Sequence, residues 1–273
     1  MKFDNVSVMN FNNAFRGLRN PLESWDKTDS SFGLDNWDYS TVDYDTAYEW
    51  CKQEFITPDD EERYDEAEGK YLNWLHKNGI LDSTDGYIRY AYLGPADMAL
   101  AQKMVKAGSS HRKFLRQIIV SVDITAPLYW WKEFDTYKVG TVANSTSTMH
   151  KLSTTPITMD CFETDDFVES LTVYSQEPYN VDYLIRDIWV DLINDLDTLR
   201  LRYLETKDKK YWKELVRLLP ESWLQTRTVT MNYEVLRNIY EQRKNHKLTE
   251  WHQFCDWIKT LPYANELITY GLD

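Results

Sequence analysis

Residues 111–152 read HRKFLRQIIVSVDITAPLYWWKEFDTYKVGTVANSTSTMHKL, and the character of the chain changes three times within them. Val120, Val122 and Ile124 alternate with Ser121 and Asp123. A two-residue period sends successive side chains to opposite faces, so this is a half-buried strand, ended by Pro127. From Leu128 to Phe134 the chain is bulky and aromatic, and suits either a short helix or a second strand. After Lys138, small polar residues take over: Gly140, Thr141, Asn144, Ser145, Thr146, Ser147 and Thr148 fall within nine positions. Such a run cannot fill a core. Its hydroxyls, its amide and its lightly shielded backbone N–H groups suit phosphate or ribose recognition. The same composition also describes a solvated polar loop.

The whole chain has 273 residues, enough to bury a substantial core as one large domain or as a domain with a long appendage. Lys and Arg number 31 against 44 Asp and Glu, a net charge of −13. A negative field repels phosphate backbones, so general nucleic-acid binding is not expected. With 11 Trp and 19 Tyr the chain is too aromatic to be a disordered acidic segment. Cys51, Cys161 and Cys255 are odd in number and lack Cys-x-x-Cys spacing. They fit free thiols in a reducing compartment rather than a structural zinc site. The acids of residues 160–169 lack the regular spacing of a calcium loop and read as a solvated face or lid, so no metal is expected. No apolar run reaches membrane-spanning length, and MKFDNVSVMNFNN lacks the core of a signal peptide. The expectation is a cytoplasmic protein with no membrane partner.

Outward from the central stretch, residues 1–85 read as an N-terminal extension to a domain of residues 86–273. In the extension, Arg16 and Arg19 lie beside the turn signal Asn20-Pro21, as an anion site or as ordinary surface ion pairs. Residues 35–48 are aromatic and acidic without clear period. Residues 58–78 read as a helix, with Pro58 and two aspartates in its first turn and Gly79 after its end. A second helix opens at Gly94-Pro95 and stops at Gly108, with Leu100, Met104 and Val105 as its apolar face. A long helix over residues 182–204 repeats Ile185, Ile188, Trp189, Leu192, Leu196 and Leu199, with Asp182 as its cap and a core or oligomer surface as its face. Val235, Leu236, Ile239 and Tyr240 form a buried stripe further on, and Thr249 caps a last helix.

These segments carry a resemblance. A strand ending in Ala126-Pro127, an aromatic run, Thr136-Tyr137-Lys138 and, after seven residues, Thr146 is similar to the signature region of the flavin-dependent thymidylate synthases. There the strand and aromatic run precede Arg-His-Arg, seven residues and a serine. His111 falls at a flavin-contacting histidine of that family. Leu219-Pro220, Asn232 and Arg243 follow its order of Leu-Pro, a flavin-contacting asparagine on a helix, and an arginine closing that helix. The likeness runs from about Gly94 to Leu267. It is one of pattern: of the triplet only Lys138 keeps a charge, Gln253 stands near a phosphate-binding arginine, and Thr226 aligns with a substrate arginine, with Arg227 adjacent.

The resemblance implies an α/β (α+β) fold, a mixed or antiparallel sheet flanked by helices. It implies FAD held by His111, Asn232 and Lys138. A pyrimidine deoxynucleotide such as dUMP would meet Lys138, Asn144, Ser145, Thr146, Ser147, Arg227 and Arg243. With activity retained, methylenetetrahydrofolate and NADPH would join as co-substrates of a methyltransferase needing no cysteine nucleophile. A homotetramer sharing sites between subunits is implied as well. Each charge-assisted bidentate phosphate contact is worth about 1.5–3 kcal/mol, and lysine does not reproduce the guanidinium fork. Nucleotide binding therefore weakens steeply unless Arg16, Arg19, Arg112 or Arg227 supplies charge. Three readings stay open: a divergent synthase, a non-catalytic descendant binding a nucleotide or a protein, and an interaction protein docking through its aromatic N-terminal segment.

Overall fold

The computed structural model describes residues 1–32, 81–82, 87–88, 91–165, 167–176 and 181–272. The aromatic stretch 35–48, the helix expected at 58–78 and the domain boundary expected at 85 lie outside the described residues.

In chain order the elements are β1 (Lys2–Met9), α1 (Phe11–Arg19), β2 (Ser31–Phe32), β3 (Leu81–Asp82), β4 (Tyr87–Ile88) and β5 (Ala91–Tyr92). Then come α2 (Pro95–Lys106), β6 (Ile119–Pro127), α3 (Leu128–Phe134), β7 (Val142–Ser145) and α4 (Thr148–Thr154). After these follow β8 (Thr172–Gln176), β9 (Val181–Leu184), α5 (Ile185–Thr206), α6 (Lys209–Leu218), β10 (Leu224–Asn232), α7 (Tyr233–Arg243) and α8 (Thr249–Lys259). The architecture is α+β, helices with an antiparallel sheet of four strands in the order β1-β6-β10-β7. The pairs β2–β5, β3–β4 and β8–β9 are also antiparallel. No helix among the described residues is long and apolar enough to cross a membrane.

β6 is the alternating strand. Val120, Val122, Ile124 and Ala126 are fully buried, while Ser121, Asp123 and Thr125 are half-buried. Their polar face meets β10: the Thr125 and Thr226 hydroxyls lie 2.7 Å apart, and Thr228 donates to Asp123 at 2.5 Å. As one number falls by two its partner rises by two, the mark of an antiparallel register.

The chain divides into two compact units, residues 1–4, 123–138 and 143–229, and residues 5–122, 139–142 and 230–273. The first packs Leu152, Ile157, Phe162, Leu196, Leu215 and Trp223 together, with Trp189 and Trp223 each 5.5 Å from the Phe162 ring, edge to face. In the second, Phe11 meets Tyr233 and Tyr263 edge-on, and α8 buries Trp251, Phe254, Cys255, Trp257 and Ile258.

One open reading is settled and several others are corrected. The aromatic run is the helix α3. Asp182 lies in β9 and accepts a hydrogen bond from Ser175, so it does not cap α5. That helix starts at Ile185, and Asp187 reaches back to the Leu184 N–H at 2.9 Å. A reciprocal carboxylate at the third position satisfies the entry N–H, so the preceding residue is free to be apolar. Thr249 is the first residue of α8 and not its cap, which is Leu248. Asn232 ends β10 and caps α7, accepting the Val235 N–H at 3.0 Å.

The start of α2 is held from a distance. Asp29 accepts the N–H groups of Ala96 at 2.7 Å and Asp97 at 3.0 Å, satisfying donors that a helix leaves open. A Cβ on Gly94 would lie 2.2 Å from both the Asp29 Cγ and its carbonyl oxygen, so no larger residue fits there. Asp97, fully buried, takes Arg19 Nε and Thr28 Oγ1 at 2.5 Å each and the Ser30 N–H at 3.2 Å. Burial works to raise its carboxyl pKa, but hydrogen bonds from Ser30, Thr28 and Arg19 outweigh it and hold the group below the usual range. A depressed folded pKa gives stability that is present above the unfolded value and lost as pH falls through the folded one. Asp97→Asn should cost about 3–5 kcal/mol by leaving Arg19 buried and unpaired. It should also flatten the acid limb of stability against pH, both read by chemical denaturation from pH 7 downward.

Candidate functional site

The first unit assembles a polar cluster around one arginine. Pro127 ends β6 and precedes α3, whose seven residues bury Trp130, Trp131 and Phe134. Its first N–H groups, from Leu128 and Tyr129, donate to the carbonyls of Trp223 and Glu221, both at 3.1 Å. The Trp131 indole donates to the Gln225 carbonyl at 2.9 Å. These bonds lay α3 along the start of β10, and the Trp131 ring becomes a floor. Arg227 lies over that floor with its guanidinium carbon 4.2 Å from the ring centre. Its Nε donates to Gln225 Oε1 at 2.9 Å and its Nη1 to Asp135 Oδ1 at 2.7 Å. Gln225 Nε2 in turn donates to the Thr146 carbonyl at 3.0 Å and to Thr148 Oγ1 at 3.1 Å. Among the described residues, two of the five guanidinium N–H groups are thus committed.

Strand alternation explains why this is Arg227 and not its neighbour. Gln225 and Arg227 are two apart and share a face, whereas Thr226 turns to the opposite face and meets Thr125. Arg227, and not Thr226, is thus the residue that shares a face with Gln225.

The hydroxyl-rich stretch divides between a strand and a helix start. Asn144 and Ser145 lie in β7, all of whose residues are exposed, and Thr146 donates its N–H to the Thr226 carbonyl at 2.9 Å. Ser147 caps α4, accepting the His150 N–H at 3.3 Å. Both the Thr146 and Ser147 side chains are exposed. Lys138 is exposed too, in the connection between α3 and β7. The other triplet positions finish α3: Thr136 Oγ1 donates to the Glu133 carbonyl at 2.7 Å, and Tyr137 packs 6.3 Å from Phe134.

His111, Asn232 and Arg243 belong to the second unit. His111 is exposed in the turn after α2, its N–H bonded to the carbonyl of Gly108, which takes φ +100°. Arg243 stacks on Trp251, its guanidinium carbon 4.6 Å from the ring centre. Beside Asn232, Gly140 adopts φ +76°, and a Cβ there would lie 3.1 Å from the Asn232 amide nitrogen. The next residue, Thr141, has a buried hydroxyl with no hydrogen-bond partner among the described residues.

Of the other cations proposed as stand-ins for the missing triplet, two are held in ion pairs and the third is exposed over an aromatic ring. Arg19 is buried against Asp97, Arg112 pairs with Glu234 at 2.8 Å, and Arg16 lies over Trp25. Trp131, Asp135, Gln225 and Thr148 complete the Arg227 cluster; sequence reasoning reached only Thr148, as a member of the hydroxyl-rich run. The one legible signal was the Gln225-x-Arg227 spacing on a strand.

Burial pushes the Cys255 thiol up to about 11, with Asp256 adding to the effect. A thiol held protonated is a poor nucleophile. Cys255 should therefore resist iodoacetamide in the native protein at pH 8 and react only on unfolding, as read by peptide mass mapping.

No family model matches the chain, and no curated protein matches it in sequence. Among solved structures it is similar to the flavin-dependent thymidylate synthase of Helicobacter pylori complexed with FAD and dUMP. The TM-score is 0.53 at 14% identity, over 98% of each chain. A second structure, thymidylate synthase X from Helicobacter pylori with FAD and dUMP, has a TM-score of 0.45 at 16% identity, over 75% of this chain and 91% of that one. The first likeness shows a shared fold.

Proposed function

We propose that the chain is a divergent relative of the flavin-dependent thymidylate synthases that binds a pyrimidine deoxynucleotide of the dUMP kind, with its phosphate on Arg227. The observation that carries this is the pre-set guanidinium: it lies over Trp131 and is fixed at Nε by Gln225, and among the described residues its terminal nitrogens meet only the half-exposed Asp135 carboxylate. An arginine held this way loses little freedom on taking a phosphate, and its fork matches phosphate oxygens. Thr146 and Ser147, with exposed hydroxyls, and the exposed Asn144, Ser145 and Lys138 would serve the rest of the nucleotide.

For FAD, the residues around Asn232 fit. Thr141 offers a buried hydroxyl lacking a partner, Gly140 leaves space that a side chain would fill, and the Asn232 amide nitrogen faces it. His111 would add an exposed donor. Bound flavin would supply the carrier for a methylene group and a hydride. The chain's own residues would hold the nucleotide, orient it and place positive charge where the pyrimidine ring gains electron density. Methylenetetrahydrofolate, NADPH, the homotetramer, a cytoplasmic location and a 1–85 extension on an 86–273 domain belong to the same proposal.

A second reading, a non-catalytic nucleotide binder, is favoured by one observation. Arg19 and Arg112 are held in ion pairs of their own, so fewer cations are left for a nucleotide than the resemblance expects.

Arg227→Ala should lower dUMP affinity at least about tenfold, the worth of one charge-assisted contact, in titration calorimetry on the full chain. Unchanged affinity would remove the nucleotide role. Lys138→Ala should have a smaller effect, about two- to threefold, as fits an exposed point charge. The purified protein should carry a flavin absorption band. His111→Ala should lower its intensity without moving the melting temperature, and a colourless wild type would favour the second reading.

A further inference from the structure

We infer that Asp135 is a built-in stand-in for the ligand's anion, a carboxylate that occupies Arg227 until a phosphate displaces it. The inference rests on the nucleotide reading above and adds a regulatory contact to it. The two partners of Arg227 are unlike. Gln225 is buried, neutral and tied at its other end to Thr146 and Thr148, so it holds the guanidinium in place. Asp135 follows α3, with its side chain 54% exposed against 15% for Arg227, and its carboxylate has no other hydrogen bond among the described residues. Gln225 is therefore a support, and Asp135 a cover.

The chemistry agrees with that division. A carboxylate oxygen 2.7 Å from Nη1 meets the same donor that a phosphate oxygen would seek. Because the acid is half in water, exchanging it for another anion costs little, since exposed ion pairs are weak and water re-solvates the released carboxylate. The cover also balances a cation that is nearly enclosed and would otherwise sit uncompensated beside an aromatic floor. In a chain of net charge −13, one such acid sets a threshold: monoanions that bind Arg227 weakly do not remove it, whereas a phosphate dianion does.

The test uses the full chain with dUMP and, separately, inorganic phosphate, in titration calorimetry at low salt. Asp135→Asn keeps the shape and a hydrogen-bond acceptor but removes the competing charge, and Asp135→Ser serves as the second variant should the first fold poorly. Both should bind dUMP about fivefold more tightly than the wild type, which is about 1 kcal/mol. The gain should vanish in the Arg227→Ala background. Unchanged or weaker binding in the Asp135 variants, with wild-type dUMP binding intact, would overturn the cover while leaving the nucleotide site standing. Absence of dUMP and phosphate binding in the wild type and both Asp135 variants would overturn the site itself, and the cover with it.

Discussion

The Trp131 indole is under two demands at once, and the candidate site follows from meeting both. Its N–H is buried and needs an acceptor, since leaving a buried donor unpaired costs about 1–3 kcal/mol. The Gln225 carbonyl supplies that acceptor, which pins α3 to one position along β10. Its ring face then lies under whatever side chain stands two residues further along the strand, and that residue is Arg227. A slip of one residue would bring threonines to the ring and turn the cation to the opposite face. The electrostatics of the cluster are thus a consequence of strand register, which the packing of the first unit fixes.

The same logic separates Arg227 from the other arginines. Arg19 neutralises a buried aspartate, Arg112 a buried glutamate, and Arg237 donates to the carbonyls of Ile268 and Tyr270. Each closes a structural need inside its own unit. Arg227 differs because its partners leave most of its donors uncommitted and one partner stands largely in water. Arg19, Arg112 and Arg237 are thus consumed by the fold.

How much was legible in the sequence depends on where the signal was local. β6 was readable because burial on one face and hydroxyls on the other impose a strict two-residue period. α3 was ambiguous because seven aromatic-rich residues are too few to display a helical period. β7 was invisible as a strand: with every residue exposed it has no apolar face to alternate. The helix start at Ile185 was placed three residues early because an aspartate inside the first turn, and not one before it, satisfies the entry N–H. The Arg227 cluster lay beyond reach for another reason. Trp131 and Gln225 are 94 residues apart, and neither carries a charge that would mark it. Only the pairing of β10 with its neighbours brings them together.

The residues at the signature triplet show why fold and charge come apart here. Thr136 bonds back to the last turn of α3, and Tyr137 lays its ring near Phe134. Both finish the helix, a task that needs a hydroxyl and an aromatic ring and no charge. The sheet and its aromatic packing place no demand on what faces outward from that turn, so the architecture persists whether those positions carry cations or not. Binding of an anion makes the opposite demand: it needs a cation, held still, at one place. On the proposed reading that demand falls to β10, where the guanidinium rests on the side of the strand that already faces the core. A cation there is held by packing rather than by loop conformation, and its position is as rigid as the strand beneath it.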